Sequence, residues 1–248
     1  MKFHNDTVVH VPSNRIECDE IWSFVYSKQK NVPFTIKPND ETIGDAWTWV
    51  GIDADSKLIV SWLVGYRDAY SANDFMRDVA SRLRNRVQLT TDGLKLYLQA
   101  VEDAFEDEID FAQLVKTYGT PEGSGDEKRY SPATITGIKK TWVSGDPDES
   151  LISTSYIERQ NLTMRMHMRR FTRLTNGFSK KMENHCHAIA LHFVYYNFVK
   201  VHKTLRVTPA MEAKLTTRPY SLEDIVTLAY ADEIEQENKR LARRYGSK

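Results

Sequence analysis

Three acidic side chains far apart in the chain, Asp19, Asp92 and Glu158, stand where predicted elements change character. Asp19 interrupts an apolar alternation, where a charge is costly without a partner or a metal. Asp92 closes a short predicted strand at Thr90-Thr91-Asp92-Gly93, and Gly93 lets another group approach closely. Glu158 opens a predicted helix. A lone carboxylate in such a place is most often a turn or capping residue; three together point to chemistry. Hard oxygen donors with no His or Cys in their motifs suit Mg²⁺ or Mn²⁺ better than zinc. Two such ions held by shared carboxylates can activate a water or hydroxyl on one side of a phosphodiester and stabilise the leaving oxygen on the other. Glu20, beside Asp19, could be an accessory to it, though a solvated strand residue is the commoner case.

The helix that carries Glu158 is predicted over 157–171. Ile157, Met164, Met168 and Phe171 repeat at steps that stack on one helical face. Glu158, Arg165 and Arg169 follow the same steps one residue on, so they form a second stripe about 100° away. From 158 to 183 there are seven Lys/Arg against two Glu, an excess that suits a polyanion. Arg159, Asn161, Arg165, Arg169, Arg170, Arg173, Lys180 and Lys181 are the candidate DNA contacts of this stretch, joined downstream by Lys203 and by His202, which could equally cap a helix. An intrahelical ion pair of Glu158 with the arginines is the plain alternative.

The whole chain is balanced, with 34 basic and 34 acidic residues in 248. A generally basic coat for nucleic acid is thereby excluded, and any such contact must come from charge gathered on one surface. Cys18 and Cys186 have no metal-binding spacing and read as small buried hydrophobes. The first residues lack the apolar core of a secretory signal, and no run approaches the ~18 apolar residues of a membrane span. The expected compartment is the cytoplasm, in association with the nucleoid.

Residues 1–13 read as a polar lead. A strand is expected over 14–26, a hairpin of strands over 46–52 and 58–64, and a helix opened by a Ser71/Asp74 capping box and ending near Arg86. A short strand over 87–91, a helix through Leu94, Tyr97, Val101 and Phe105, and a strand over 109–115 follow. The segment 116–153, rich in Gly, Pro, Asp and Ser, reads as an insertion or flap with a short hairpin near 138–143. After the Glu158 helix a second one runs from Ser179 to about Val201. The tail 206–248 ends in a helix whose acids precede its bases, as favours i,i+4 pairing. The sum is an α/β fold, a mixed sheet of three antiparallel strands and two further strands flanked by helices. Four of the five tryptophans belong on strands and in the core. Trp142, in the insertion, reads as core or as a stacking surface for an unpaired base. His185 and His187 point apart on one helix, so they do not share a metal.

The segments IECDEIWSFV (16–25), LTTDGLKLY (89–97), TSYIERQNLTMRMHMRRFTRLTNGFSKKMENH (154–185) and YYNFVKVHKTLRVTPAMEA (195–213) resemble the catalytic region of bacterial transposases of the insertion-sequence-one family. The resemblance covers about 14–226. It implies an RNase H-like domain over 14–205, a catalytic and metal-holding triad of Asp19, Asp92 and Glu158, two Mg²⁺ or Mn²⁺ ions, double-stranded DNA as substrate, and a dimer or higher assembly. Arg165 matches the basic residue such enzymes often carry two turns after the Glu. Two departures stand out: the 66-residue separation of Asp92 and Glu158, which the insertion explains, and an N-terminal DNA-binding module expected to be lacking. A non-catalytic DNA-binding or regulatory fragment and an RNase H-like nuclease remain open as alternatives.

Overall fold

The computed structural model describes residues 2–33, 42–119, 134–172, 176–228 and 230. Six strands form one sheet: β1 (Arg15–Val25), β2 (Gly44–Asp53), β3 (Ile59–Gly65), β4 (Val87–Thr91), β5 (Ile109–Tyr118) and β6 (Ile135–Ser144). Their order across the sheet is β3-β2-β1-β4-β5-β6. β1 pairs antiparallel with β2 and parallel with β4, β4 runs parallel to β5, and β6 returns antiparallel. This is an RNase H-like mixed α/β sheet, with β1 at its centre.

Alternation along β1 sends its residues to two different layers. Ile16 and Cys18 join a core with Trp49, Leu89 and Phe111 and with the helices α2 (Ala69–Arg82) and α3 (Leu96–Phe105). Ile21 joins the opposite core with Val50, Trp62 and the helices α4 (Ser155–His167) and α5 (Met182–Val194). Glu17, Asp19 and Ser23 share that second face. An α-helix α1 (Lys2–Thr7) occupies what reads in sequence as a polar lead: His4 is buried, its Nε2 3.2 Å from the Ile59 carbonyl oxygen, and Val8 and Val11 enter the first core. Beyond residue 205, the short helix α6 (Pro209–Glu212) brings Ala210 and Ala213 into the same core.

Several boundaries differ from expectation for local reasons. α2 begins before Ser71, because the Asp68 carboxylate accepts the Ser71 N–H and is the better N-cap. β5 runs on to Tyr118 and β6 pairs with it, so residues 116–118 and 135–144 of the predicted insertion are sheet, the hairpin expected near 138–143 is one continuous strand, and Glu149–Leu151 form a 3₁₀ turn. Trp142, on this edge strand, is 57% exposed and not core. The other core expectations hold fully for Trp49 and Trp62, while Trp22 and Trp47 are half-buried. Cys18 is buried and Cys186 half-buried. α4 stops at His167, Met168 turns extended, and Arg169–Phe171 form a 3₁₀ turn. The apolar stripe survives this break, since Ile157, Met164, Met168 and Phe171 all lie in the second core. The charged stripe does not. The acid-then-base run 232–244 and Arg173 lie outside the described residues.

Candidate metal and phosphodiester site

The parallel register of β1 and β4 ends at the pair Cys18 and Thr91. The next residue on each is an aspartate, so the sheet itself sets Asp19 beside Asp92. Single oxygens of Asp19, Glu20 and Asp92 lie within 4.8 Å of one another. At Asp92 the chain leaves the sheet: its Oδ1 accepts the Leu94 N–H at 2.9 Å. Gln113 of β5 donates from Nε2 to the Asp92 and Leu94 carbonyls, at 2.9 and 3.2 Å, and holds this turn in place. A Cβ on Gly93 would meet Val115 Cγ2 at 2.8 Å, which is the close approach the glycine allows.

Glu158 is delivered by α4, whose N-terminus is held by an unexpected residue. The Thr154 hydroxyl does not cap the helix; it donates to Glu158 Oε1 at 2.7 Å. Instead Glu17 Oε2, from the central strand, accepts the N–H groups of Tyr156 and Ile157 at 2.8 and 3.0 Å. A buried carboxylate thus satisfies two otherwise orphaned donors at the positive end of the helix. Burial pushes the Glu17 carboxyl up, and these two bonds oppose the shift. Glu17→Ala should cost about 2 kcal/mol, because buried N–H groups are left unpaired. Urea denaturation measures this, with Glu17→Gln expected to lose less; equal stability of Glu17→Ala and the unaltered protein would contradict the assignment.

One cavity of about 910 Å³ is lined by Asp19, Asp92 and Glu158 together with Arg67, Lys95, Lys116 and Arg165. Burial, then the neighbouring Asp92, pushes the Asp19 carboxyl up to about 6. Glu20, only 8% exposed, is pushed up to about 7, first by burial. The expected solvated Glu20 is therefore corrected: its Oε2 accepts from Arg67 Nε at 3.1 Å, while Oε1 and the Tyr97 hydroxyl face one another, buried, without a hydrogen bond of normal geometry. Glu158 is not among the clustered oxygens. It is ion-paired with Lys116.

These donors fit a hard divalent ion. Asp19, Glu20 and Asp92 could hold one, because burial raises the proton affinity of Asp19 and Glu20, and a cation among the three oxygens relieves it. Glu158 lies outside this cluster, with its Oε1 engaged by Lys116 and by the Thr154 hydroxyl.

The predicted DNA contacts separate into groups. Arg165 lines the carboxylate cavity. So does Asn161, though it is buried and donates from Nδ2 to Asp19 Oδ2 at 2.8 Å, so it orients that carboxylate. Arg169 and Arg170 line a different cavity. Arg159, Lys180, Lys181 and Lys203 are exposed and line neither, and His202 is half-buried, with Nδ1 3.0 Å from the Thr204 hydroxyl. His185 is buried between the hydroxyls of Ser23 and Ser179. Arg67, Lys95 and Lys116 carried no local sequence signal, since each reaches the cavity from an element whose place depends on the sheet.

Among the described residues no helix is long and apolar enough to cross a membrane. No protein-family model and no curated protein matches the sequence. Among solved structures, a chain in the cryo-EM structure of the simian T-cell lymphotropic virus intasome in complex with PP2A regulatory subunit B56 gamma is 13% identical, with a TM-score of 0.44. The match covers 86% of this chain and 59% of that one, so this chain spans less than two thirds of the matched chain's length. The RNase H-like assignment stands on the strand order and register described above.

Proposed function

We propose that this chain is the catalytic domain of a DDE transposase, which cuts DNA at a 3′ end of an insertion sequence and joins that end to target DNA. The observation that carries the reading is the meeting of Asp19, Asp92 and Glu158, from three remote segments, in one cavity that Arg67, Lys95, Lys116 and Arg165 also line. Bound Mg²⁺ or Mn²⁺ would supply Lewis-acid stabilisation of the attacking and leaving oxygens. Asp19 and Asp92 would be its fixed ligands and Glu158 the mobile one. Arg165 and Lys95 would hold the phosphates on either side of the scissile bond, as cations positioned on a fixed frame do. Asn161 Nδ2 donates to Asp19 Oδ2 and the Glu20 N–H to Asp19 Oδ1, each at 2.8 Å, so the chain itself orients both oxygens of this carboxylate. No covalent enzyme intermediate is required, because water and then the freed 3′ hydroxyl serve as nucleophiles. The motif resemblance supports the choice of transposition over other phosphodiester chemistry.

The test is incubation of the full chain with duplex DNA carrying the element's ends, in Mg²⁺ or Mn²⁺, with strand cleavage and end joining read separately. Metal-dependent nicking with joined products is expected. Cleavage of RNA–DNA hybrid without joining would point to a nuclease, and salt-sensitive binding without any nicking to a regulatory DNA-binding chain. Lys116→Met should tighten Mn²⁺ binding several-fold, since Glu158 is then released from its ion pair; calorimetric titration gives the answer, and unchanged affinity would contradict a mobile Glu158.

A further inference from the structure

The break in α4 at Met168 separates charges that an unbroken helix would have kept in one stripe. Arg165 stays with the carboxylates, whereas Arg169 and Arg170 turn into a second cavity of about 710 Å³ that shares no lining residue with the first. His167, His192, Tyr195 and Lys200 also line it, and among the described residues none of its lining is acidic. A surface solvated for its own sake would mix the signs, so this one is built for an anion.

His192 gives a second, independent indication. It is 9% exposed, lines the cavity, and its Nε2 is buried without a hydrogen-bond partner. An orphaned buried nitrogen costs free energy that a ligand oxygen would recover. The cations are already set in place: Lys200 Nζ lies 3.4 Å from His167 Nε2, and Arg170 is fixed by donating to the Ser179 hydroxyl and the Asn184 carbonyl at 2.9 and 3.1 Å. Arg169 is exposed and has no ion pair among the described residues.

We infer that this cavity is a second phosphate site, which takes a backbone phosphodiester of nucleic acid on the far side of α4 from the carboxylates. Arg165 and His167, two residues apart on one helix, point about 200° from each other. A polyanion crossing α4 therefore meets both cavities, whereas a small anion fills only one. The choice of nucleic acid as the source of the phosphate rests on the proposed function; the anion site itself does not.

Imidazole NMR of the full chain, without divalent metal, tests the site. On addition of a short DNA duplex the His167 and His192 signals should shift and saturate, also in Asp92→Asn. The double variant Arg169→Ala/Lys200→Ala should lose these shifts and flatten the slope of log affinity against log salt by about 2, at roughly 0.9 per phosphate contact. Arg169→Lys/Lys200→Arg should keep the slope, which separates lost charge from lost fold. Shifts with duplex but not inorganic phosphate support a backbone ligand; shifts with both support a general phosphate site. If the chain cuts no DNA yet phosphate still moves His192, the anion site stands and the transposase reading falls. No shift with either ligand, or an unchanged slope in the double variant, overturns the inference.

Discussion

Asp92→Asn should lower metal-dependent DNA cleavage by about 10³-fold or more, because a metal ligand contributes several kcal/mol to the transition state and each 1.36 kcal/mol is tenfold in rate. The fold should survive. Asn keeps an oxygen at the position where Asp92 Oδ1 accepts the Leu94 N–H, and the Gln113 bonds go to backbone carbonyls that the substitution leaves alone. Circular dichroism and urea unfolding should therefore match those of the unaltered protein while a cleavage assay in Mn²⁺ falls to background. Equal cleavage by both proteins would remove Asp92 from the chemistry.

The second large effect is on stability and runs opposite to the first. Asp19 has its carboxyl raised from 3.8 to about 6 and Glu20 from 4.5 to about 7, each first by burial. The folded protein thus holds more protons than the unfolded chain between roughly pH 4 and 7, so stability falls as pH rises through that window. For Asp19 alone the loss is on the order of 3 kcal/mol. The two groups repel each other, so their contributions do not simply add. Without divalent metal the midpoint of thermal unfolding should fall between pH 5 and 8, and Mn²⁺ should restore it more at pH 8 than at pH 5, as a ligand that binds only the folded state does. Asp19→Asn should raise the metal-free midpoint at pH 8 and abolish the Mn²⁺ effect. A flat pH profile, or equal Mn²⁺ stabilisation of the variant, would show that the carboxylates are not a strained, metal-seeking cluster. Stability is given up here at the place where chemistry requires it.

The alternation of β1, the Asp92-Gly93 turn and the apolar stripe through Ile157, Met164, Met168 and Phe171 were legible because each is a local pattern with a period. Their meeting was legible only as far as the motifs carried it. The pairing of Cys18 with Thr91, which brings Asp19 to Asp92, is a parallel register that no local pattern encodes. Glu17 and Gln113 were missed because a buried polar strand residue has no sequence signal apart from its partners, here two helix N–H groups and a turn. Arg169 was misplaced for a simpler reason: helical periodicity extrapolates through any sequence without Pro or Gly, and the break at Met168 has neither. Likewise, within the Gly- and Pro-rich stretch after residue 116 the short hairpin read near 138–143 is one strand, Ile135–Ser144, and Lys116–Tyr118 extend β5, since both gain their order from cross-strand pairing.

The proposed chemistry depends on divalent ions being held between β1, β4 and α4. Anomalous diffraction from crystals soaked in Mn²⁺ tests it most directly. A peak ligated by Asp19 and Asp92, with Glu158 swung from Lys116 towards it, is predicted; saturating Mn²⁺ that leaves this cavity empty, or binds elsewhere with the Glu158–Lys116 pair intact, would contradict it.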